Sequence, residues 1–145
     1  MASVGTYLNF DGNAEEVMNF YAGVFDTTIM SIMRYGEFQM EGAESDGPQM
    51  SDEAKAKVMN MQMLIFGDYL LQASDHLAEF GGPLVQDNNT AIVLMPDSRA
   101  ETDRLFALLA DGGTVRFAPA DAGFGYFADL SDKFGVNWMF YNTAE

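Results

Sequence analysis

The sequence predicts an α+β fold built from two similar halves, and three observations predict it. Tyr7-Leu8-Asn9-Phe10 alternates like a strand, with Leu8 and Phe10 on one face and Tyr7 and Asn9 on the other. Asp11-Gly12 turns the chain, after which Val17, Phe20, Tyr21, Val24 and Phe25 fall on one helical stripe that needs a surface to cover. The same plan returns later. Residues 90–95 are an apolar run of strand length, Pro96-Asp97 breaks it, and Leu105, Leu108 and Leu109 line a helix that stops at Gly112-Gly113. Strand-like runs follow each helix. The two copies are too far apart for a solenoid repeat, so they read as half-modules, about 1–75 and 88–145, of one domain.

The elements follow in order. Asn13 is placed to cap the first helix with Glu16 reaching back to it, and Ser98 with Glu101 repeats that capping box. Residues 28–35, β-branched and Met-rich, read as the second strand. From Glu37 to Glu53 the composition shifts to Gly, Ser, Asp, Glu, Gln and Pro48, a long connection that is either a flap or a solvated loop. Residues 57–66 and 69–74 form a hairpin around a two-residue turn, Gly67-Asp68. In its first strand Met59, Met61, Met63 and Ile65 share one face, and Val58, Asn60, Gln62 and Leu64 the other. Methionines at that spacing mean core or subunit contact. Two amides among apolar neighbours suit a pocket wall, and equally an edge strand facing water. Residues 75–89 cross to the second half without clear periodicity. Strands are predicted over 114–118, closed by Pro119, and over 125–130 and 136–141, with the polar end from Asn142 to Glu145 fraying.

Composition narrows the function classes. A chain of 145 residues with 48% hydrophobic content makes one domain with a proper core. A net charge of −15, from 22 acidic against 7 scattered basic residues, argues against nucleic acid and against an anionic membrane surface. Without cysteine there is no disulfide, thiolate nucleophile or zinc-sulfur site. No signal-peptide pattern and no long apolar run stands in the sequence, so the expected location is the cytoplasm.

The segments YLNFDGNAEEVMNFYAGVF, MRYGE, ETDRLFALLADGG and LSDKFGVNWMF together resemble the PhnB-like branch of the glyoxalase/bleomycin resistance/dioxygenase proteins, the vicinal oxygen chelate superfamily. The resemblance covers nearly the whole chain. It implies paired βαβββ modules whose strands curve into a cup around a small-molecule site. It also implies a homodimer, which the Met-rich strand would suit. Relatives carry the label 3-demethylubiquinone methyltransferase-like.

In metal-dependent members four ligands, usually His or Glu, come from the first, fourth, fifth and eighth strands and hold a divalent Lewis acid. The resemblance places those positions at about Tyr7, Gln72, Thr90 and Met139. A phenol, an amide, a hydroxyl and a thioether hold a hard dication poorly, so the usual metal site is expected to be absent and no cofactor is expected. Other chemistry is no better represented. The only histidine, His76, follows Asp75, but neighbouring side chains on an extended chain point apart. Asp11, Glu15 and Glu16 sit where a helix dipole favours negative charge. There is no G-x-S-x-G elbow and no GxGxxG turn for a nucleotide-type cofactor.

Strand parity and the resemblance together direct Tyr7, Asn9, Gln72, Thr90, Met139 and Tyr141 toward one cavity, with Asn60 and Gln62 joining them. Trp138 shares a strand face with Val136 and Phe140, as core or as an aromatic wall. Two functions fit. One is a protein that holds a small organic molecule without transforming it. The other is a glyoxalase- or dioxygenase-like enzyme with an atypical metal site. A cup filled by its own side chains is the third possibility.

Overall fold

The computed structural model describes residues 2–37 and 50–143. It divides into two compact units, Met1–Leu84 and Val85–Glu145, each with its own four-stranded mixed sheet. Most of the loop expected over 37–53 lies outside the described residues. Its end does not: Ser51 Oγ accepts the Ala54 N–H and starts a short helix there.

In the first unit the chain runs β1 (Thr6–Phe10), α1 (Ala14–Val24), β2 (Ser31–Arg34), a 3-10 turn (Tyr35–Glu37), α2 (Asp52–Ala56), β3 (Val58–Ile65), β4 (Tyr69–Asp75) and α3 (Ala78–Gly81). The sheet order is β1-β4-β3-β2, with β1 parallel to β4 and the other pairs antiparallel. The order follows from the pattern. Helix α1 must cover the sheet, so it carries the chain from one edge strand to the other, and β3 and β4 fill the gap between.

Val17, Met18, Tyr21 and Val24 of α1 are buried on the same side as Met61, Met63, Leu71 and Ala73. Each large side chain so buried contributes about 2 kcal/mol of transfer free energy. The methionine face is therefore core, not subunit contact. Met59 departs from it and is half-buried, because Met33 pairs with Asn60 while Arg34 pairs with Val58. The extra residue, Met59, is a bulge that shifts the alternation and puts Val58 inside.

The cap of α1 also differs from expectation. Asn13 occupies the N-cap but makes no side-chain cap bond, and Glu16 closes no capping box. The carboxylate of Asp75, buried at the end of β4, takes over: Oδ1 accepts the Ala14 N–H and Oδ2 the Val58 N–H, each at 2.8 Å. A carboxylate brought by the sheet outcompetes the local amide because it satisfies two buried donors at once and faces the positive end of the helix. The second strand is shorter than 28–35, since Tyr35 enters the 3-10 turn. The hairpin loop has three residues, 66–68, with φ positive at Phe66 (54°) and Gly67 (84°).

The second unit repeats the plan: β5 (Ile92–Leu94), α4 (Arg99–Ala110), β6 (Thr114–Asp121), β7 (Gly125–Ser131) and β8 (Asn137–Thr143), in sheet order β5-β8-β7-β6. Ser98 Oγ accepts the Glu101 N–H at 3.1 Å, whereas the Glu101 carboxylate turns to Arg104 rather than closing the box. Thr102, Leu105 and Leu109 form the buried face of α4, which leaves Leu108 on its rim, 41% exposed. Strand β5 is shorter than residues 90–95. Strand β6 runs through Pro119 instead of ending before it, because β6 is an edge strand and two register shifts remove the need for every ladder bond. Asn142 does not fray; it is buried, accepting from Thr102 Oγ1 (2.5 Å) and donating to the Pro96 carbonyl (2.6 Å). Trp138 is core, fully buried, with Nε1 donating to Asp132 Oδ2 at 2.9 Å. Among the described residues no helix is long and apolar enough to cross a membrane.

Replacing Asp75 by alanine strands two buried N–H groups, so urea unfolding should show a loss of about 3 kcal/mol. Asp75→Asn, whose single oxygen still accepts one of them, should lose less.

Candidate functional site

Opposite its helix, the first sheet presents a wall of neutral polar side chains. The register puts Tyr7 of β1, Gln72 of β4, Gln62 of β3 and Ser31 of β2 in one row across the sheet. Asn60 Nδ2 and Gln62 Nε2 both donate to Gln72 Oε1, at 3.2 and 3.1 Å. That convergence leaves the Gln72 amide nitrogen and the Asn60 and Gln62 oxygens without a partner among the described residues. Beside them Ser74 Oγ donates to Asn9 Oδ1 (3.0 Å), and the Tyr7 hydroxyl donates to the Met59 carbonyl (3.1 Å). Five of the expected residues, Tyr7, Asn9, Asn60, Gln62 and Gln72, thus share this one face. The nearby charges turn elsewhere: Arg34 reaches Glu15 and the Ala56 carbonyl, and Asp75 faces the helix side.

Tyr35, at the border of this wall, donates to the Asp75 carbonyl at 2.8 Å. Burial first, then Tyr7 and Asp75, push its phenol above the ordinary value. It also lines a pocket of about 570 Å³ with Met50, Met59, His76, Leu77 and Phe80. Among the described residues His76 has no link to a carboxylate: its Nε2 lies 2.7 Å from the Gly82 carbonyl, and Asp75 is spent on α1 and β3.

The three expected residues of the second unit fall in two places. Thr90 precedes β5, and its carbonyl accepts from Asn137 Nδ2 at 3.0 Å. With Met139 it lines a pocket of about 410 Å³, together with Asn88, Asn89, Ala91, Arg116, Asp129 and Asn137. Tyr141 lies on another pocket, of about 290 Å³, beside Met95, Pro96 and Asp97. The register adds residues that strand parity alone did not single out. Val93, Met139, Asp129 and Phe117 form one row across the second sheet. Counted inward from the buried last residue of each parallel strand, Phe10 and Leu94, Gln72 corresponds to Asn137. Arg116 holds Asp129 in a two-armed ion pair, at 3.0 and 2.7 Å.

These side chains do not fit a divalent metal. In the first unit Tyr7 pairs in register with Gln72, a phenol beside an amide; in the second Val93 pairs with Met139, which offers only a thioether. Among the described residues no three of His, Cys, Asp or Glu stand close enough to share an ion.

Two tyrosines should ionise late on alkaline titration: Tyr35, from burial, and Tyr126, chiefly from its hydrogen bond to Asp103. Tyr35→Phe should remove one late step from the ultraviolet titration. With its folded pKa raised, Tyr35 contributes stability that is intact below the ordinary value of 10.0 and is lost as pH rises through the folded value.

Comparison with known proteins follows the same lines. Residues 2–141 match the family model described as 3-demethylubiquinone-9 3-methyltransferase. Among solved structures the chain is similar to protein PA1353 from Pseudomonas aeruginosa, at 28% identity and TM-score 0.78, covering 99% of this chain and 100% of that one. It is also similar to a putative 3-demethylubiquinone-9 3-methyltransferase, PhnB protein, from Bacillus cereus, at 26% identity and TM-score 0.69, covering 98% and 100%. A glyoxylase/bleomycin resistance protein/dioxygenase domain from Frankia sp. EAN1pec shares the fold, at 12% identity and TM-score 0.67, covering 100% and 94%. No curated protein matches. With two βαβββ units and a family match over almost its whole length, the chain has the fold of the glyoxalase/bleomycin resistance/dioxygenase proteins and belongs to the 3-demethylubiquinone-9 3-methyltransferase family.

Proposed function

We propose that the chain binds a small, uncharged organic molecule through hydrogen bonds, without a metal ion. The observation that carries this is the convergence of Asn60 and Gln62 on Gln72 Oε1, on a sheet face that, among the described residues, offers free amide donors and acceptors and no charge. A few fixed polar groups among apolar neighbours orient a ligand, and neutral ones favour a ligand that is itself neutral. The methyl transfer in the family's description finds no support in these residues. The strand-to-helix turns, Asp11-Gly12-Asn13 and Pro96-Asp97-Ser98, carry no glycine-rich cradle for a nucleotide-type cofactor.

A homodimer is part of the proposal, resting on the family resemblance now that Met61 and Met63 are known to be core. Sedimentation at micromolar concentration should show twice the monomer mass, and a monomer would contradict it.

A thermal-shift screen should find uncharged amides, lactams or ureas that raise the melting temperature of the wild-type chain, with or without chelator. Gln72→Leu should weaken that response while changing stability by less than about 1 kcal/mol, since water replaces the amide on a half-exposed face. A stoichiometric metal in protein purified without chelator, lost on Gln72→Ala, would instead support an enzyme with an atypical metal site.

A further inference from the structure

We infer that the Arg116–Asp129 pair anchors a ligand in the second unit and selects an uncharged carbonyl group, as in an amide or ketone, over a carboxylate or an amine. The inference rests on the small-molecule reading above and gives it a chemical class.

The backbone aims this arginine deliberately. Val115 pairs with Leu130 and Phe117 with Asp129, so Arg116 is an extra residue in β6 with no partner on β7. Bulges of this kind redirect a side chain, and they recur beside functional sites. Here the redirected guanidinium is surrounded by oxygen. Nε and Nη2 donate to the two Asp129 oxygens, Nη1 to Ser131 Oγ at 2.6 Å, and Nη2 to the Leu130 carbonyl at 2.8 Å. Asn137 Oδ1 stands 3.4 Å from Nη2. Ser131 and Asn137 are themselves joined at 2.5 Å, and Asn137 is tied back to the Thr90 carbonyl at 3.0 Å. The cation is thus fixed by three strands and by the loop before β5. Among the described residues one Nη1 N–H has no acceptor.

The pair forms part of the wall of the 410 Å³ pocket, whose other lining includes Asn88, Asn89, Ala91 and Met139. That composition sets the ligand's charge. An incoming carboxylate meets Asp129 and an overall charge of −15; an incoming ammonium meets Arg116. A carbonyl oxygen accepts the free Nη1 N–H and needs neither charge to be displaced. The asparagines supply donors and acceptors for the rest of an amide, and Ala91 with Met139 supplies apolar contact.

The test uses three probes that share a ring and differ in their head group: benzamide, benzoate and benzylamine. Nitrogen-detected NMR follows the Arg116 guanidinium, assigned by its loss in Arg116→Lys, while side-chain amide signals follow Asn60, Gln62 and Gln72. Benzamide should shift the Arg116 signal, with benzoate and benzylamine about tenfold weaker. Arg116→Lys should weaken benzamide about tenfold, because an ammonium cannot keep the two-armed geometry. Asp129→Asn, which unmasks the cation, should raise benzoate affinity above that of benzamide. Benzoate or benzylamine binding the wild type as tightly as benzamide overturns the inference. So does benzamide that moves only the amides of the first unit, although the small-molecule reading then stands. If no probe binds and the wider screen also finds no ligand, both fall. Should Arg116→Lys not fold, the wild-type shift map and Asp129→Asn decide.

Discussion

The first unit depends on one buried carboxylate. Asp75 ends β4, starts α1 through the Ala14 N–H and fixes the entry to β3 through the Val58 N–H. A carboxylate in such a place is costly unless each of its oxygens finds a donor. Here two backbone donors and a helix N-terminus meet that demand, so three elements share a single point of registration. The second unit divides the same task. Asn142 ties β8 to α4 and to Pro96 just beyond β5, while Asp132 gathers the Phe134 and Val136 N–H groups and the Trp138 indole into the turn between β7 and β8.

Because these polar ties lie on the helix side or at strand ends, the opposite faces of the sheets are free to vary. The two units have used that freedom differently. In the first the face is neutral in each side chain, built of amides and hydroxyls. In the second the face is neutral only in sum, with a guanidinium and a carboxylate holding each other at 2.7 Å. Neither set of polar groups carries net charge, in a chain whose net charge is −15.

Most of the scaffold was legible because it rests on periodicity. The stripes at Val17, Tyr21 and Val24 and at Leu105 and Leu109, and the alternation from Met61 to Ile65, are two-residue and helical rhythms that burial enforces. What escaped was long-range or irregular. Asp75 in place of Asn13 as the cap of α1 joins residues far apart in sequence, which no local capping rule anticipates. The bulges at Met59 and Arg116 each add one residue to a strand and reverse which side chain faces in. The neutral wall of Tyr7, Asn9, Asn60, Gln62 and Gln72 followed from strand parity together with the family resemblance, because the bulge at Met59 lies before Asn60 and leaves the alternation beyond it intact. Arg116 and Asp129 did not, because their meeting depends on an irregular one.

Strand β6 carries a further consequence. It is the outer strand of its sheet, eight residues long and almost wholly exposed, with Phe117 and Val115 open to solvent, the profile of a template for fibril growth. Pro119, lacking a donor, and the two breaks in register interrupt its outward row of hydrogen-bonding groups. The irregularity that aims an arginine also keeps this margin from zippering onto a neighbour, so a substitution that straightened it would trade solubility for regularity.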